Sequence, residues 1–461
     1  MRIALFRSAL FYSVFALILH GLSLRSVAQT ATINGSVTYQ TIDGWGASTG
    51  FNERNNNLNS AEADCFFSTS NGACSGNSIG LEWVRIQDNA TPNSAPDLST
   101  LQLAVARGAQ VNLGFNPPSG LNSGNYASTA SYDVAKIQYL QSNGVSISAV
   151  SPINEPLNTS TSAVEIDTFI ASYLYPAMVS AGLSSIPIIA PEGGYWFRDD
   201  YITACMNDSN CGPHISIVAG HAYWTGAGSQ GMDGFQNGYN CCVDYAAKPL
   251  PSSTSGKKIW QTEVNGGANG PCPDDTDIGI YDGSMNPDAL TYAHNIHDFL
   301  TVVGGSAWFY WNLAAETANG TPAPGCNDGL TDEHFNPAKR FYAIGNYSKF
   351  MRSGQVRISA TANPQSNVYI SAAKDPNTGA FEIVAINRNS GSVSQTFNIT
   401  GLSAASVIPY ITDPNNNLAT QTAISVSGNS FTATLAGTSV TTFVTSSSGP
   451  GAPSNLTGVI Q

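Results

Sequence analysis

Short apolar runs punctuate the first three quarters of the chain, at residues 41–47, 81–86, 110–115, 146–153, 186–190, 216–222, 258–264 and 306–311. Each is bounded by polar or turn-forming residues and is too short for an ordinary helix, so the pattern predicts eight strands. Their starts lie 29 to 48 residues apart, which leaves room in every interval for a crossover helix and an elaborated loop. Strands and helices alternating in this way predict an α/β fold, a (β/α)8 TIM barrel. From about residue 355 the texture changes. Asn367-Val368-Tyr369-Ile370-Ser371, Phe381-Glu382-Ile383-Val384-Ala385-Ile386 and Ser439-Val440-Thr441-Thr442-Phe443-Val444 alternate and are rich in β-branched residues, as antiparallel strands are. Residues 31–39 alternate too, so an associated antiparallel β side domain built from both chain ends is expected.

The amino terminus has a different pattern. Arg2 and Arg7 precede an apolar run from Ala9 to Leu19, and Ser26-Val27-Ala28 supplies small residues before Gln29. A positive start, an apolar stretch about half the ~20 residues that span a bilayer, and a small-residue end describe a signal peptide and not a membrane anchor. The implied organisation is a signal peptide at 1–28, a side-domain strand at 29–40, the barrel at 41–352, the side β-domain at 353–446 and a linker-like tail at 447–461. The expectation is a secreted protein with no membrane insertion.

Composition narrows the partners. Only 11% of the 461 residues are charged, against roughly a quarter in ordinary soluble domains, and the net charge is -13. Loss of Arg2, Arg7 and Arg25 with the leader would take it to -16. No basic surface remains to collect phosphates, which excludes nucleic acid as the expected partner. A surface of neutral polar groups suits an uncharged, hydroxyl-rich ligand. All eight cysteines follow residue 28, and in an oxidising compartment disulfides are the default. Cys65 with Cys74 and Cys205 with Cys211 are close enough to staple local loops, leaving Cys241 and Cys242 to reach Cys272 and Cys326. Zinc is the less favoured reading, because no Cys-x-x-Cys pair gives tetrahedral spacing.

Barrel active sites lie at the carboxyl ends of the strands, so polar residues that end apolar runs are the candidates. Glu155 ends the fourth run and Glu263 the seventh. Either alone could cap a helix or pair with an arginine. Together they stand across the barrel mouth, and two opposed carboxyls are what glycosidic bond cleavage uses, one protonated and one ionised. A separation of about 5–5.5 Å corresponds to retention and about 6.5–9.5 Å to inversion. The mechanism needs no cofactor and no metal.

From 41 to 446 the chain resembles glycoside hydrolase family 30, within the retaining clan A hydrolases. Ile42-Asp43-Gly44-Trp45-Gly46-Ala47 is similar to that family's first strand, Ser151-Pro152-Ile153-Asn154-Glu155-Pro156 to its acid/base strand and Trp260-Gln261-Thr262-Glu263 to its nucleophile strand. Gly220-His221-Ala222-Tyr223, Ala307-Trp308-Phe309-Tyr310-Trp311-Asn312 and the segment from Tyr342 to Phe350 match in the same order. The resemblance implies that Glu155 is the general acid/base and Glu263 the nucleophile. It implies that Asn154 binds the hydroxyl beside the reacting carbon, Tyr223 holds the nucleophile, Arg85 keeps Glu263 charged, and His221 and Trp311 shape the subsite. Trp45 and Asn116 complete the candidate sugar contacts; for Trp45, as for Trp196 and Trp224, packing is the competing role. Family members that depend on glucuronic acid branches read the carboxylate with a basic residue after the last strand. Here that segment is Asn312-Leu313-Ala314-Ala315-Glu316, without arginine. Asn116 also stands near where many members have tryptophan.

Two other constellations carry less. His294-x-x-His297 has helical spacing but no zinc-protease glutamate, so surface or packing histidines are favoured. Asp274-Asp275-x-Asp277 lacks the glycine and final glutamate of a calcium loop and reads as a solvated turn. The expectation is a monomeric, secreted retaining β-glycosidase acting on a polysaccharide or oligosaccharide, an endo-β-1,4-xylanase not dependent on glucuronate. A β-1,6-glucanase or β-1,6-galactanase is the alternative within the class, and a non-catalytic carbohydrate-binding protein the alternative outside it.

Overall fold

The computed structural model describes residues 29–50, 57–70, 74, 77–88, 91–196, 199–224, 240–242, 245, 250–265, 289–314, 317–318, 321–322, 329–332 and 334–445. Outside them lie the expected leader and tail, Cys272, Cys326, the Asp274–Asp277 turn, Ala315, Glu316 and the side chains of Trp224 and Cys241.

After β1 (Gln29–Thr41), all eight apolar runs form strands. They are β2 (Gly44–Ser48), β3 (Trp83–Asp88), β4 (Gln110–Phe115), β5 (Ala149–Ser151), β6 (Ile188–Tyr195), β7 (Ile215–Trp224), β8 (Lys258–Gln261) and β9 (Ala307–Ala314). Each pairs in parallel with the next, and β9 pairs back onto β2 with Ala307 opposite Gly44, so the barrel closes. Both faces of these strands are covered, which is why they read as continuous apolar runs.

The barrel interior is a separate packed core of Trp83, Ala149, Ile189, Ile217, Ala219, Trp260, Ala307 and Phe309. Trp83 and Trp260 meet edge to face at 4.9 Å. Gly46 is required there, since a Cβ would lie 2.4 Å from the Phe309 ring. At the amino end Asp43 closes the floor by accepting from Lys258, the Trp260 indole and Ser306.

The outer layer is helical: α1 (Ser60–Phe67), α2 (Leu98–Val105), α3 (Tyr126–Ser142), α4 (Ala163–Phe169, continuing through a π turn into Tyr175–Ser180), α5 (Asp199–Asn207), α6 (Ala289–Asp298) and α7 (Lys339–Ser348). Asn59 with Glu62 and Ser162 with Glu165 form capping boxes that start α1 and α4, satisfying otherwise orphaned amides. Among the described residues the β7–β8 connection contains no α-helix, but a short strand at Asn240–Cys241 antiparallel to β7 and a 3-10 turn at Ser252–Thr254. Cys65–Cys74 and Cys205–Cys211 form disulfides, with Cα separations of 5.1 and 5.0 Å, and Cys242 is disulfide-bonded as well.

The second sheet contains β1 and the C-terminal strands β10 (Val356–Ala360), β11 (Val368–Lys374), β12 (Phe381–Asn387), β13 (Val393–Thr400), β14 (Ser406–Thr412), β15 (Ser430–Leu435) and β16 (Ser439–Thr445). Both chain ends therefore build the side sheet. Its pairings are antiparallel except one: β1 runs antiparallel to β10 but parallel to β13. Phe397, Phe431 and Phe443 form its aromatic core, with centroids 4.7 to 5.3 Å apart. Against the barrel, Asn346 of α7 donates to Tyr410 O and its carbonyl accepts from Thr442. His294 and His297 are buried at this junction, His294 on the Tyr369 ring at 3.8 Å and beside Arg388. Burial and the Arg388 charge hold His294 down to about 2, and burial and Arg357 hold His297 down to about 3, so both are neutral packing residues. Among the described residues no helix is long and apolar enough to cross a membrane.

Candidate active site

The carboxyl ends of the barrel strands converge on one cluster. Glu155 lies four residues beyond β5, in the left-handed region (φ 44°), where it caps the turn Pro156–Thr159. Pro156 pre-sets the turn, and Glu155 N donates to Glu192 O at 3.1 Å. Gly194 makes room for the side chain, because a Cβ there would lie 2.8 Å from Glu155 Oε1. Glu263 follows β8 by two residues, and its carbonyl accepts from Ala222 N at 3.0 Å, which ties it to β7.

His221 joins the two acids. Its Nδ1 is 2.9 Å from Glu155 Oε1 and 3.6 Å from Glu263 Oε1, and one oxygen of each acid lies within 4.8 Å of the other. Glu263 Oε2 accepts from Arg85 Nη1 at 2.7 Å and from Gln87 Nε2 at 2.9 Å. Its Oε1 faces the Tyr223 hydroxyl at 3.2 Å, whose proton is shared with Asn265 Oδ1 at 3.1 Å. Arg85 Nη2 donates to Asn154 Oδ1 at 2.6 Å and reaches Glu192 Oε2 at 3.3 Å. Asn158 Nδ2 donates to Glu155 Oε2 at 2.6 Å. Glu155, Asn154, Arg85, His221, Tyr223 and Glu263 are thus brought together.

Electrostatics distinguishes the groups. Burial acts to raise the Glu155 carboxyl, but the His221 hydrogen bond and charge, with Arg85, outweigh it and hold Glu155 below its usual range. His221 is drawn the other way: burial disfavours its charge, yet Glu263 and Glu155 raise it above ordinary histidine. In the open site the shared proton therefore resides on His221 Nδ1, donated to Glu155. Burial lifts the Glu263 carboxyl above its usual range, with His221 and Arg85 limiting the rise. The Glu155 side chain is 21% exposed and that of Glu263 is 7% exposed.

Trp311 is half-buried in the middle of β9, and its amide donates to Val264 O, one residue beyond Glu263. Asn116 lines a cavity of about 340 Å³ with Asp88, Phe115, Pro117, Tyr132 and Asp133. Trp45 is not a sugar contact. It is 1% exposed, donates to Met351 O and packs on Tyr347 at 5.6 Å. Alternation along β2 turns it outward to α7 while Gly46 faces the barrel interior. Trp196 is likewise buried, against Tyr245 and Phe299.

Sequence reasoning missed Gln87, Asn158 and Glu192. Gln87 was signalled by its place two residues after Arg85, on the same strand face. Glu192 met the criterion that found Glu155 and Glu263: it is the polar residue that ends the fifth apolar run.

No model of a known protein family matches the chain. It is 30% identical over 444 residues to the glucuronoxylanase XynC of Bacillus subtilis (strain 168), covering 90% of this chain and 92% of the relative. The fold superposes on a GH30 endoxylanase from Clostridium papyrosolvens C71 with a TM-score of 0.69 and 26% identity, covering 90% of this chain and 99% of that one. A glycoside hydrolase family 30 subfamily 8 xylanase, Xyn30A, from Clostridium acetobutylicum superposes with a TM-score of 0.70, 26% identity and the same coverage.

Proposed function

Because the chain belongs to glycoside hydrolase family 30 and is an O-glycosyl hydrolase, we propose that it is a secreted, monomeric endo-β-1,4-xylanase that acts with retention and does not depend on glucuronate. The observation that carries retention is the approach of the Glu155 and Glu263 oxygens within 4.8 Å of one another. That spacing leaves no room for the water an inverting enzyme holds between its carboxyls.

In this reading Glu263 attacks the anomeric carbon while the bond to the leaving oxygen breaks and takes the Glu155 proton. Water then yields a proton to Glu155 and attacks the same carbon, releasing Glu263. Arg85, Gln87 and Tyr223 aim the nucleophile, and Asn154, held by Arg85, meets the neighbouring hydroxyl in the transition state. Trp311 offers an apolar face to the sugar ring. Substrate covering the mouth removes water from Glu155, and the burial that already acts to raise its carboxyl draws the proton across from His221.

Xylan is supported by the similarity to a glucuronoxylanase and to two GH30 xylanases. Independence from glucuronate is supported by residues 312–316: no arginine there can pair with a branch carboxylate, and Glu316 would repel it. Secretion is supported by the residue 1–28 pattern and the disulfides. The test is reducing-sugar release from unbranched xylan, glucuronoxylan, β-1,6-glucan and β-1,6-galactan, with the first anomer formed read by proton NMR. Comparable rates on both xylans, a β-anomer first product and a loss of at least about 10³-fold in Glu263→Gln are expected. Activity confined to glucuronoxylan or to a β-1,6 polymer would reject the substrate assignment. An α-anomer would reject retention.

A further inference from the structure

The cluster holds a third carboxylate to which the two-acid reaction gives no step. Glu192 lies within β6 with a side chain that is 0% exposed. It is held in the left-handed region (φ 50°), like Glu155 (φ 44°), and the two residues are joined by the Glu155 N to Glu192 O hydrogen bond. A non-glycine residue in this region is strained, and two such residues hydrogen-bonded to each other mark a backbone shaped by its site. Glu192 Oε2 faces the same Arg85 nitrogen that holds Asn154, while the other arm of Arg85 holds Glu263.

We infer that Glu192 is a positioning residue that shares the Arg85 charge and so sets the pH window in which Glu155 can hold a proton while Glu263 is ionised. Arg85 is a permanent cation within reach of both reacting acids. Alone, it would favour their charged forms and oppose the charge on His221. A buried anion on the same guanidinium offsets that field without entering the mouth. The charged and titratable groups facing Glu192 are Arg85 from β3, Glu155 after β5, His221 from β7 and Glu263 after β8. Glu192 itself stays ionised: burial acts against its charge, but Arg85 and His221 outweigh it, and the Ser151 and Thr262 hydroxyls add to the lowering. Ser151 Oγ donates to Ile153 O, and Thr262 Oγ1 has no hydrogen-bond partner, so these hydroxyls act on Glu192 as nearby dipoles.

The inference rests on the assignment of Glu155 and Glu263 made above, and the test separates the two. The pH dependence of kcat/KM on xylan is measured for the parent, Glu192→Gln and Glu192→Asp, with Glu263→Gln as control. Glu192→Gln keeps the shape and removes the charge, so both limbs should move to lower pH by about one unit. The sign follows from Arg85: with its counter-anion gone, Glu263 ionises at lower pH, and the proton shared by His221 and Glu155 is lost at lower pH. Glu192→Asp keeps the charge, and both limbs should stay within about 0.3 unit of the parent. A uniform fall in rate with unmoved limbs in Glu192→Gln, or an equal shift in both variants, would overturn the inference. If Glu192→Gln does not fold by circular dichroism, the Asp variant decides alone: limbs in place support the inference and displaced limbs overturn it. Activity surviving in Glu263→Gln would instead overturn the underlying assignment.

Discussion

Arg85→Met tests whether the barrel mouth is held by charge or by packing. The substitution keeps most of the volume of Arg85, a fully buried side chain, and removes the cation between Glu192 and Glu263, whose side chains are 0% and 7% exposed. Breaking a buried ion pair from one side costs about 3–5 kcal/mol. A stranded carboxyl can escape by taking up a proton. From an ordinary value of 4.5, doing so at pH 7 costs about 3.4 kcal/mol, at about 1.4 kcal/mol per pH unit. That sum is a ceiling for each acid. His221 remains to serve Glu263, so one proton on Glu192 relieves most of the damage, and a loss of about 3 kcal/mol is expected at pH 7.

The sign with pH follows from Glu192. In the parent its carboxyl is held below the usual range, so its contribution is present above about pH 4.5 and lost as pH falls. In the variant its carboxyl is raised, and stability falls as pH rises from about 4.5. The gap between parent and variant therefore widens from pH 4.5 to pH 7. Thermal unfolding followed by tryptophan fluorescence should show a difference of roughly 3–6 °C at pH 7 and under about 2 °C at pH 4.5. Equal differences at both pH values would refute the charge argument and leave only packing.

Asp133 gives the complementary case. Its side chain is fully buried, neither oxygen has a hydrogen-bond partner, and burial followed by the Asp88 charge lifts it well above the carboxylate range. The folded protein keeps a proton that the unfolded chain releases above about pH 4, so Asp133→Asn should stabilise by about 1–3 kcal/mol at pH 7.5 and by almost nothing at pH 3.5. Urea midpoints read the difference, and a gain independent of pH would reject it. Trp45→Phe loses the Met351 hydrogen bond and should lower stability by about 1–3 kcal/mol with KM unchanged, whereas Trp311→Ala should raise KM about tenfold with little change in melting temperature. An increased KM for Trp45→Phe would place that indole in the mouth after all.

The barrel was legible because a parallel strand covered on both faces leaves a run of apolar residues, and eight such runs at regular intervals have few other solutions. Strand ends were less legible. The fifth run ends at 190 by hydrophobicity, but β6 continues to Tyr195 through Gly193, which pairs with Gly220 of β7 without contributing an apolar side chain. The Trp45 side chain could not be assigned from its own strand. Which of two neighbours faces inward depends on what fills the interior, and Phe309, 263 positions later, occupies the space beside Gly46. The parallel pairing of β1 with β13 is equally non-local, since alternation marks a strand without naming its partner. Glu155 and Glu263 were visible because each is a charge that ends an apolar run. Glu192 was visible by the same rule, but only the folded chain places it on the guanidinium that Glu263 also uses.

That shared guanidinium makes the site one coupled system, in which neither reacting carboxyl can be tuned alone. What separates their roles is unequal access to water. The Glu155 side chain, 21% exposed, loses solvent when a sugar covers the mouth, while that of Glu263, at 7%, has little left to lose. Binding therefore changes the balance at Glu155 and hardly touches Glu263. In the proposed reaction the proton on His221, 2.9 Å from Glu155, moves to the acid whose environment has changed. Arg85 and Gln87 stay on Glu263 in that reaction, where the Arg85 charge limits the rise that burial imposes on its carboxyl. On the proposed assignment two chemically identical side chains thus take opposite roles because one is at the surface of the cluster and the other at its base.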